Sequence, residues 1–370
     1  MTKKTLKNGF TTGTAAAAAV KGALTAILSK GHRPGQVTVP FLSKGSVTIP
    51  VHDFRRVSET QAWCSVIKDA GDDPDVTHRA EIGAFVTFFR AQAGAPVIHV
   101  TGGKGVGRVT KPGLEVAPGH AAINPGPMRM IEDGVHEVLT RFGITGRVDI
   151  EIIVPEGEVL AQKTLNKRLG IEGGISILGT TGVVTAMSHD AYIAAIEAAL
   201  NVAAASGRKR VVLTTGRRSE RFAQTRFSQL HSDQFIQIGD FFQASLACAA
   251  ALSFETVILA VFFGKAVKMA MGIPHTHAAR SELCLSTLSR WVHDQTGDQL
   301  MTTRVARANT AREAFFMLHD TYPGVIPQVG LRMIQSASGF LAAPVSVQSV
   351  IFDFDGQVVY DSTEDEEEKP

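Results

Sequence analysis

From residue 175 onward the chain repeats one pattern. ISILGTTG, RVVLTTGRRSERFA, FIQIGDFFQASLACAAAL and TVILAVFFGKAVKMAMG each set a short apolar run before a glycine loop, and a helical stretch follows each loop. Strands alternating with helices in this way predict a parallel sheet with crossover helices. Ser188 is placed to cap the first of those helices, over 189–205, with Gly207 as its stop. Ligands of open α/β sheets sit beyond the carboxyl ends of the strands. Binding chemistry is therefore expected at GTTG (179–182), TTGR (214–217), Gly239–Asp240 and Gly264–Lys265.

The first half has another rhythm. A small-residue helix is predicted over 15–29, after the loop GFTTGT. Strand-like runs follow in QVTVPF, SVTIPV, 63–67, 85–89 and PVIHV, then a helix over 127–142 stopped by Gly143, then the alternating VDIEIIVP. The expected fold is two domains with a cleft between them. Residues 1–155 form an α+β domain with a mixed or antiparallel sheet and ligand-closing loops. Residues 156–346 form an α/β domain with a mostly parallel sheet. A final strand and hairpin occupy 347–360, and 361–370 form an acidic, disordered tail.

Bulk properties narrow the classes. With 370 residues, 44% of them hydrophobic, the chain is long enough for two cores. A formal net charge of +2 is too mild for a nucleic-acid binder defined by charge alone. The basic residues fall in small groups, such as Arg55–Arg56 and Arg217–Arg218–Arg221, which suit either a multiply anionic small ligand or a solvated surface. The three cysteines are far apart and form no CxxC, so a reducing cytosol is expected. MTKKTLKNGF lacks a signal-peptide core. The most apolar stretch, 241–271, is broken by Gln243, Glu255, Gly264, Lys265 and Lys268 and reads as buried helix and strand, not a membrane span.

Five segments carry candidate chemistry. TGGKGVGR (101–108) follows a strand but is neither a P-loop nor a Rossmann turn, since Gly105 follows Lys104 and no helix opens after it. A flexible hairpin that closes over a ligand, bringing Lys104 and Arg108 to anionic groups, and a plain glycine-rich turn both fit. VIFDFDGQVV looks like an aspartyl phosphatase nucleophile motif but comes too late in the chain, and reads as a last strand and turn. His275 and His277 form an HxH pair with no third ligand nearby in sequence. In GFTTGTAAAAA, the free N–H groups of the helix start can receive a carboxylate or phosphate, and the alanines allow close packing on a sheet. KDAGDDPDVTH fails as a calcium loop on spacing. Turn chemistry explains part of it, and crowded carboxylates are expected to raise one pKa into a useful acid–base range.

Taken together, GFTTGTAAAAA, KDAGDDPDVTH, GGKGVGRVTKPGL, AINPGPMRMI, GISILGTTGVV and TTGRRSERFA resemble the CbiD-type cobalt-precorrin-5B C(1)-methyltransferases of anaerobic cobalamin synthesis, across roughly residues 6–356. Two positions depart from that pattern: Ala15 stands where the family usually has Cys, and Arg79 where it usually has Gly. The resemblance implies methyl transfer from S-adenosyl-L-methionine to C-1 of a cobalt corrinoid. It needs no protein-bound metal, because the cobalt belongs to the substrate. It implies no nucleic acid and no membrane, and it leaves open a homodimer and transient contact with neighbouring pathway enzymes. Two other readings are a non-catalytic corrinoid carrier and a nucleotide-dependent α/β enzyme.

On this resemblance the methyl donor is expected at Thr180, Thr181, Gly182, Thr215, Gly216, Gly239 and Asp240, with Asp240 on the ribose hydroxyls. The ring is expected at Thr11, Thr12, Thr14, Asp72, Asp75, Lys104, Arg108, Lys111, Arg217, Lys265 and His275, although the two ligands can exchange places. Asp73 and His78 are the expected proton-handling pair.

Overall fold

The alanines of GFTTGTAAAAA settle the first layer. Alanine has the highest helix propensity and the smallest side chain that holds a helix. Thr11 caps the helix Thr12–Leu28 by accepting the Thr14 N–H at 3.2 Å. Ala15 to Ala19 are all buried, so this helix lies flush on a sheet. The computed structural model describes residues 6–30, 32–252, 254–277, 281–341 and 345–364.

That sheet has six strands in the order Gln36–Pro40, Ser46–Arg56, Gln61–Ile67, Glu81–Ala91, Thr145–Ile153 and Val97–Gly102. All neighbours are antiparallel except the last pair. Alternation puts Ile82, Ala84, Val86, Val148, Ile150 and Ile152 on the face covered by Thr12–Leu28 and a second helix, Pro125–Phe142. Gly143 ends the second helix in the left-handed region, at φ 62°.

The other sheet runs Phe235–Gln237, Arg210–Thr214, Thr256–Phe262, Ser346–Phe352 and Val358–Asp361. The first four strands are parallel, and the last pairs antiparallel with Ser346–Phe352. Both faces are covered. Val211, Leu213, Leu259 and Ile351 pack against helices His189–Ala205, Phe242–Ala251, Phe263–Ala270 and Val325–Ser338. Val212, Ile258, Ala260 and Phe352 pack against the opposite helix, Arg217–Arg226.

Three expectations need correction. ISILGTTG contributes no strand to the parallel sheet. Instead Gly174–Ile175 pairs with Gly105–Val106, and Val183–Val184 pairs with Gly9–Phe10, all in the first half of the chain. The remaining place in the parallel set is taken by Ser346–Phe352. The chain accordingly forms two compact units, Met1–Ser188 and His189–Pro370, divided about thirty residues later than composition suggested. The acidic tail does not begin at 361: the Asp361 carboxylate accepts from Arg226 Nε at 2.8 Å and closes the last strand. The disorder expected for 365–370 lies outside the described residues.

VIFDFDGQVV is the turn it was expected to be. Asp353 Oδ1 accepts the N–H groups of Asp355, Gly356 and Gln357 at 2.7–2.9 Å, which commits that carboxylate to the hairpin. Among the described residues, no helix is long and apolar enough to cross a membrane.

Candidate functional site

In the first unit the acidic loop, GFTTGT and GTTG adjoin. Phe10 N–H donates to Asp69 O at 2.8 Å, and Thr11 N–H to Gly182 O at 3.0 Å. Thr12 Oγ1 accepts the Leu178 N–H at 2.8 Å, and Thr14 Oγ1 donates to Gly182 O at 2.7 Å. Thr181 O accepts the Ser43 N–H at 3.2 Å. Thr11, Thr12 and Thr14 are buried; the Thr12 and Thr14 hydroxyls and the Thr11 backbone N–H fasten the glycine loop, with Thr180 exposed on it. Thr180, Thr181 and Gly182 thus belong to the first unit, whereas Thr215, Gly216, Gly239 and Asp240 belong to the second. The expected methyl-donor set is not one loop cluster on one sheet. The cause is the bonding of 178–184 to the alanine helix.

The acidic loop is heavily committed. Lys7 N–H donates to Asp72 Oδ2 and Lys7 Nζ to Asp69 Oδ2, each at 2.7 Å. Lys68, only 1% exposed, reaches Asp75 Oδ2 at 2.7 Å, while Asp75 Oδ1 accepts from Thr77 N–H and Oγ1. Asp73 Oδ2 accepts the Met187 N–H at 3.0 Å. His78 Nδ1 accepts the Ala70 N–H at 3.1 Å, so its ring proton is on Nε2. The expected upward pKa shift runs the other way at two positions. The hydrogen bond from Lys7 holds Asp69 below the usual carboxylate range. Burial pushes Asp75 up, but the Lys68 ammonium and the hydrogen bonds from Lys68 and Thr77 outweigh it, and the net shift is downward.

TGGKGVGR is a paired segment, not a free hairpin. Gly107 N–H donates to Ile175 O at 2.8 Å, and Val154 N–H to Lys104 O at 2.9 Å. Gly105 sits at φ 75°, and any Cβ there would collide with Val154 O. Lys104 and Arg108 are exposed; Arg108 Nη1 donates to Gly119 O at 2.7 Å, and the Lys111 stem lies against Gly170.

The second unit carries its polar cluster at the carboxyl edge of the parallel sheet. Asp240 follows Phe235–Gln237, and Lys265 lies in the first turn of Phe263–Ala270, directly after Thr256–Phe262. Lys265 Nζ donates to Asp240 Oδ1 and, at 3.2 Å, to Thr276 O and Oγ1. Thr276, fully buried, donates its own hydroxyl to Asp240 Oδ1 at 3.1 Å. Lys268 Nζ adds bonds to Thr276 O and His277 O. Burial raises the Asp240 carboxyl, yet the Lys265 hydrogen bond and charge bring it below its ordinary value, so it is anionic at neutral pH. Burial, with Asp240 beside it, pushes the Tyr192 hydroxyl up. Around this carboxylate stand aromatic rings: Phe241 lies 5.1 Å from Tyr192, 5.3 Å from His189 and 4.9 Å from His275. Arg217 opens the next helix along the same edge, after Thr215 and Gly216.

Of the residues proposed from sequence, the structure brings together Asp240, expected at the donor, and Lys265 and His275, expected at the ring, and it sets Tyr192, Phe241, Thr276 and His189, which sequence reading did not name, beside them. Tyr192 and His189 come from the helix that precedes the strand they serve, and no local spacing announces that. Thr276 had a weak signal, as the buried centre of PHTHA. Among the described residues no group of three or more His, Cys, Asp or Glu side chains is placed to hold a metal ion. Burial pushes the Cys64 and Cys248 thiols up to about 12 and about 11, far from a reactive thiolate.

A two-sided parallel sheet with a polar, aromatic-lined carboxyl edge, joined in sequence to a helix-covered mixed sheet, defines a mixed α/β protein. Family comparison is more particular. The CbiD family model matches residues 1–186, and the CbiD C-terminal domain model matches residues 275–363. The chain is 43% identical over 319 residues to a Geobacillus thermodenitrificans protein named cobalt-precorrin-5B C(1)-methyltransferase, covering 86% of this chain and 84% of that one. A protein of the same name from Pelobacter propionicus is 38% identical, with 96% of each chain covered. A crystal structure of the cobalamin biosynthesis protein (cbiD) from Archaeoglobus fulgidus is 29% identical, covering 70% of this chain and 78% of that one, with a TM-score of 0.38. The chain belongs to the CbiD family.

Proposed function

We propose that this chain is a cytoplasmic methyltransferase that moves a methyl group from S-adenosyl-L-methionine to C-1 of cobalt-precorrin-5B, giving cobalt-precorrin-6A. The observation that carries this reading is likeness over nearly the full length of both chains to proteins of that name, at 38% identity with 96% coverage each way.

The bound donor supplies a methyl already activated as a sulfonium, so no protein nucleophile is required. The chain's task is alignment, which can supply about 7–11 kcal/mol of the barrier. Asp240 is the group suited to the donor's ribose hydroxyls. Lys265 and Thr276 fix one of its oxygens, which orients the other. Tyr192 and Phe241 offer ring faces of the kind that attract a cationic centre. Thr215, Gly216 and Gly239 border the same strand ends. Asp73 and His78 act as the proton-handling pair for the ring, His78 through the Nε2–H that its bond to Ala70 leaves outward. Lys104, Arg108 and Lys111 meet the ring's carboxylates. Cobalt arrives with the substrate.

The test is a pair of measurements on the full chain. Saturating S-adenosylhomocysteine raises the melting temperature, since a ligand at a hundredfold excess over Kd adds about 2.7 kcal/mol. Incubation with the methyl-labelled donor and cobalt-precorrin-5B transfers label to the ring. No shift together with no transfer rejects the reading. Asp73→Asn and His78→Ala variants that methylate at the full rate remove only the proton-handling role.

A further inference from the structure

The same carboxyl edge carries a second region, built of arginines and phenylalanines. Phe354, just past Ser346–Phe352, stacks on Phe262 with centroids 6.1 Å apart and planes 7° from parallel. Arg218 lies over Phe262 at 5.2 Å and donates to the Phe354 carbonyl. Arg312 covers Phe354 at 4.7 Å. Arg221 lies over Phe222 at 5.2 Å, and Phe222 meets Phe262 edge-on at 6.0 Å. Arg217 precedes them, exposed, at the first turn of its helix.

These guanidiniums are held without being neutralised. Among the described residues, none of the four has an ion-pair partner. The nearby acids are largely engaged elsewhere: Asp353 caps its hairpin, Glu220 accepts from Gln237 and Glu313 from Asn309, which leaves Asp355 of the hairpin exposed. A guanidinium stacked on a ring keeps its N–H edge free and oriented, which suits bidentate binding of carboxylates. By contrast, Arg55 and Arg147 of the first unit also lie on aromatic rings but pair with Asp53 at 3.0 Å and Asp149 at 3.1 Å.

We propose that Arg218, Arg221 and Arg312, arrayed on the phenylalanine stack, form with the exposed Arg217 beside them the subsite for the carboxylate arms of an anionic macrocycle. This rests on the methyltransferase reading and separates its two ligands. Four arginines with no ion-pair partner among the described residues repel a cationic methyl donor and attract a polycarboxylate, whereas the charge of Asp240 is matched by Lys265 and its carboxylate can serve hydroxyl groups. The subsite adds Arg218, Arg221 and Arg312 to the groups that hold the ring.

The probe is uroporphyrin, a macrocycle with carboxylates on every pyrrole, followed by fluorescence titration against the full chain. An Arg217→Gln/Arg221→Gln/Arg312→Gln variant should raise its Kd about tenfold or more, as expected for three partly exposed charge contacts. The wild-type affinity should fall with added salt. Arg55→Gln/Arg147→Gln should bind the probe like the wild type. The S-adenosylhomocysteine thermal shift should be the same in all three proteins, which also reports that each is folded. Equal uroporphyrin affinity in the triple variant, or no binding by a wild type that takes S-adenosylhomocysteine, overturns this assignment alone. A wild type that takes neither ligand overturns the methyltransferase reading.

Discussion

At the scale of single residues, two positions in the acidic loop carry measurable energies. Arg79 has a φ of 68°, in the left-handed region. A residue with a Cβ pays about 1–2 kcal/mol there, partly offset by the chain entropy glycine would add. Arg79 is exposed, so Arg79→Gly should stabilise the protein by roughly 0.5–1 kcal/mol, read as a higher urea midpoint at unchanged m-value. The second position is Asp75, bonded to the buried Lys68. Asp75→Asn strands that ammonium and should cost about 3 kcal/mol at pH 7. Its carboxyl pKa is lowered in the folded state, so its contribution is fully present above the unfolded value of about 3.9 and is lost as pH falls through the folded value. The gap between wild type and Asp75→Asn in urea unfolding should therefore narrow progressively as pH falls below about 3.9; a gap that stays constant or widens below that pH would refute the linkage. The aspartates and their turn were legible in the sequence. Their lysine partners were not, because Lys7 lies some sixty residues from the loop and Lys68 looks like an ordinary strand-end charge.

At the scale of elements, the alanine helix does two things with one face. Its alanines lie on the sheet, and its first turn holds Leu178 to Gly182. Thr12→Val keeps the shape but leaves the Leu178 N–H without its acceptor, which should cost about 1–3 kcal/mol. Faster hydrogen exchange at Leu178 and Gly182, relative to the strand Glu81–Ala91, would show the loop loosening locally. The helices near 15–29, 127–142 and 189–205 and the Gly143 stop followed from propensity and local bonding, whereas the first helix opens at Thr12 under the Thr11 cap, three residues before its expected start. The glycine segment TGGKGVGR did not, because its strands are only two residues long and their partners, Gly174–Ile175 and Ile171–Glu172, lie about seventy residues away. Short pairings of that kind leave no periodicity to read.

At the scale of the whole molecule, the division after Ser188 has a consequence for fragments. Residues 1–188 keep the partners of Gly9–Phe10, Gly105–Val106 and Arg108–Val109, whereas 1–155 loses them all. Fragment 1–188 should unfold in one cooperative urea transition. Fragment 1–155 should show a broad transition and expose apolar surface to a hydrophobic dye. Equal cooperativity in both would place the boundary where composition first put it.

The sequence by itself determined the main elements before residue 270, the parallel rhythm of 210–262 and the glycine-rich edge at Asp240 and Lys265, because each is written in neighbouring residues through periodicity, caps and turn chemistry; the family showed separately, in the resemblance of its motifs. Only the tertiary structure decided that GTTG belongs with the alanine helix, that the last parallel strand comes from 346–352, and that Tyr192, Phe241 and Thr276 surround Asp240 while Arg312 covers the Phe354 ring and Arg218 bonds its carbonyl. Those choices depend on which distant backbone groups and ring faces satisfy one another once water is excluded, and no local window of sequence contains both partners.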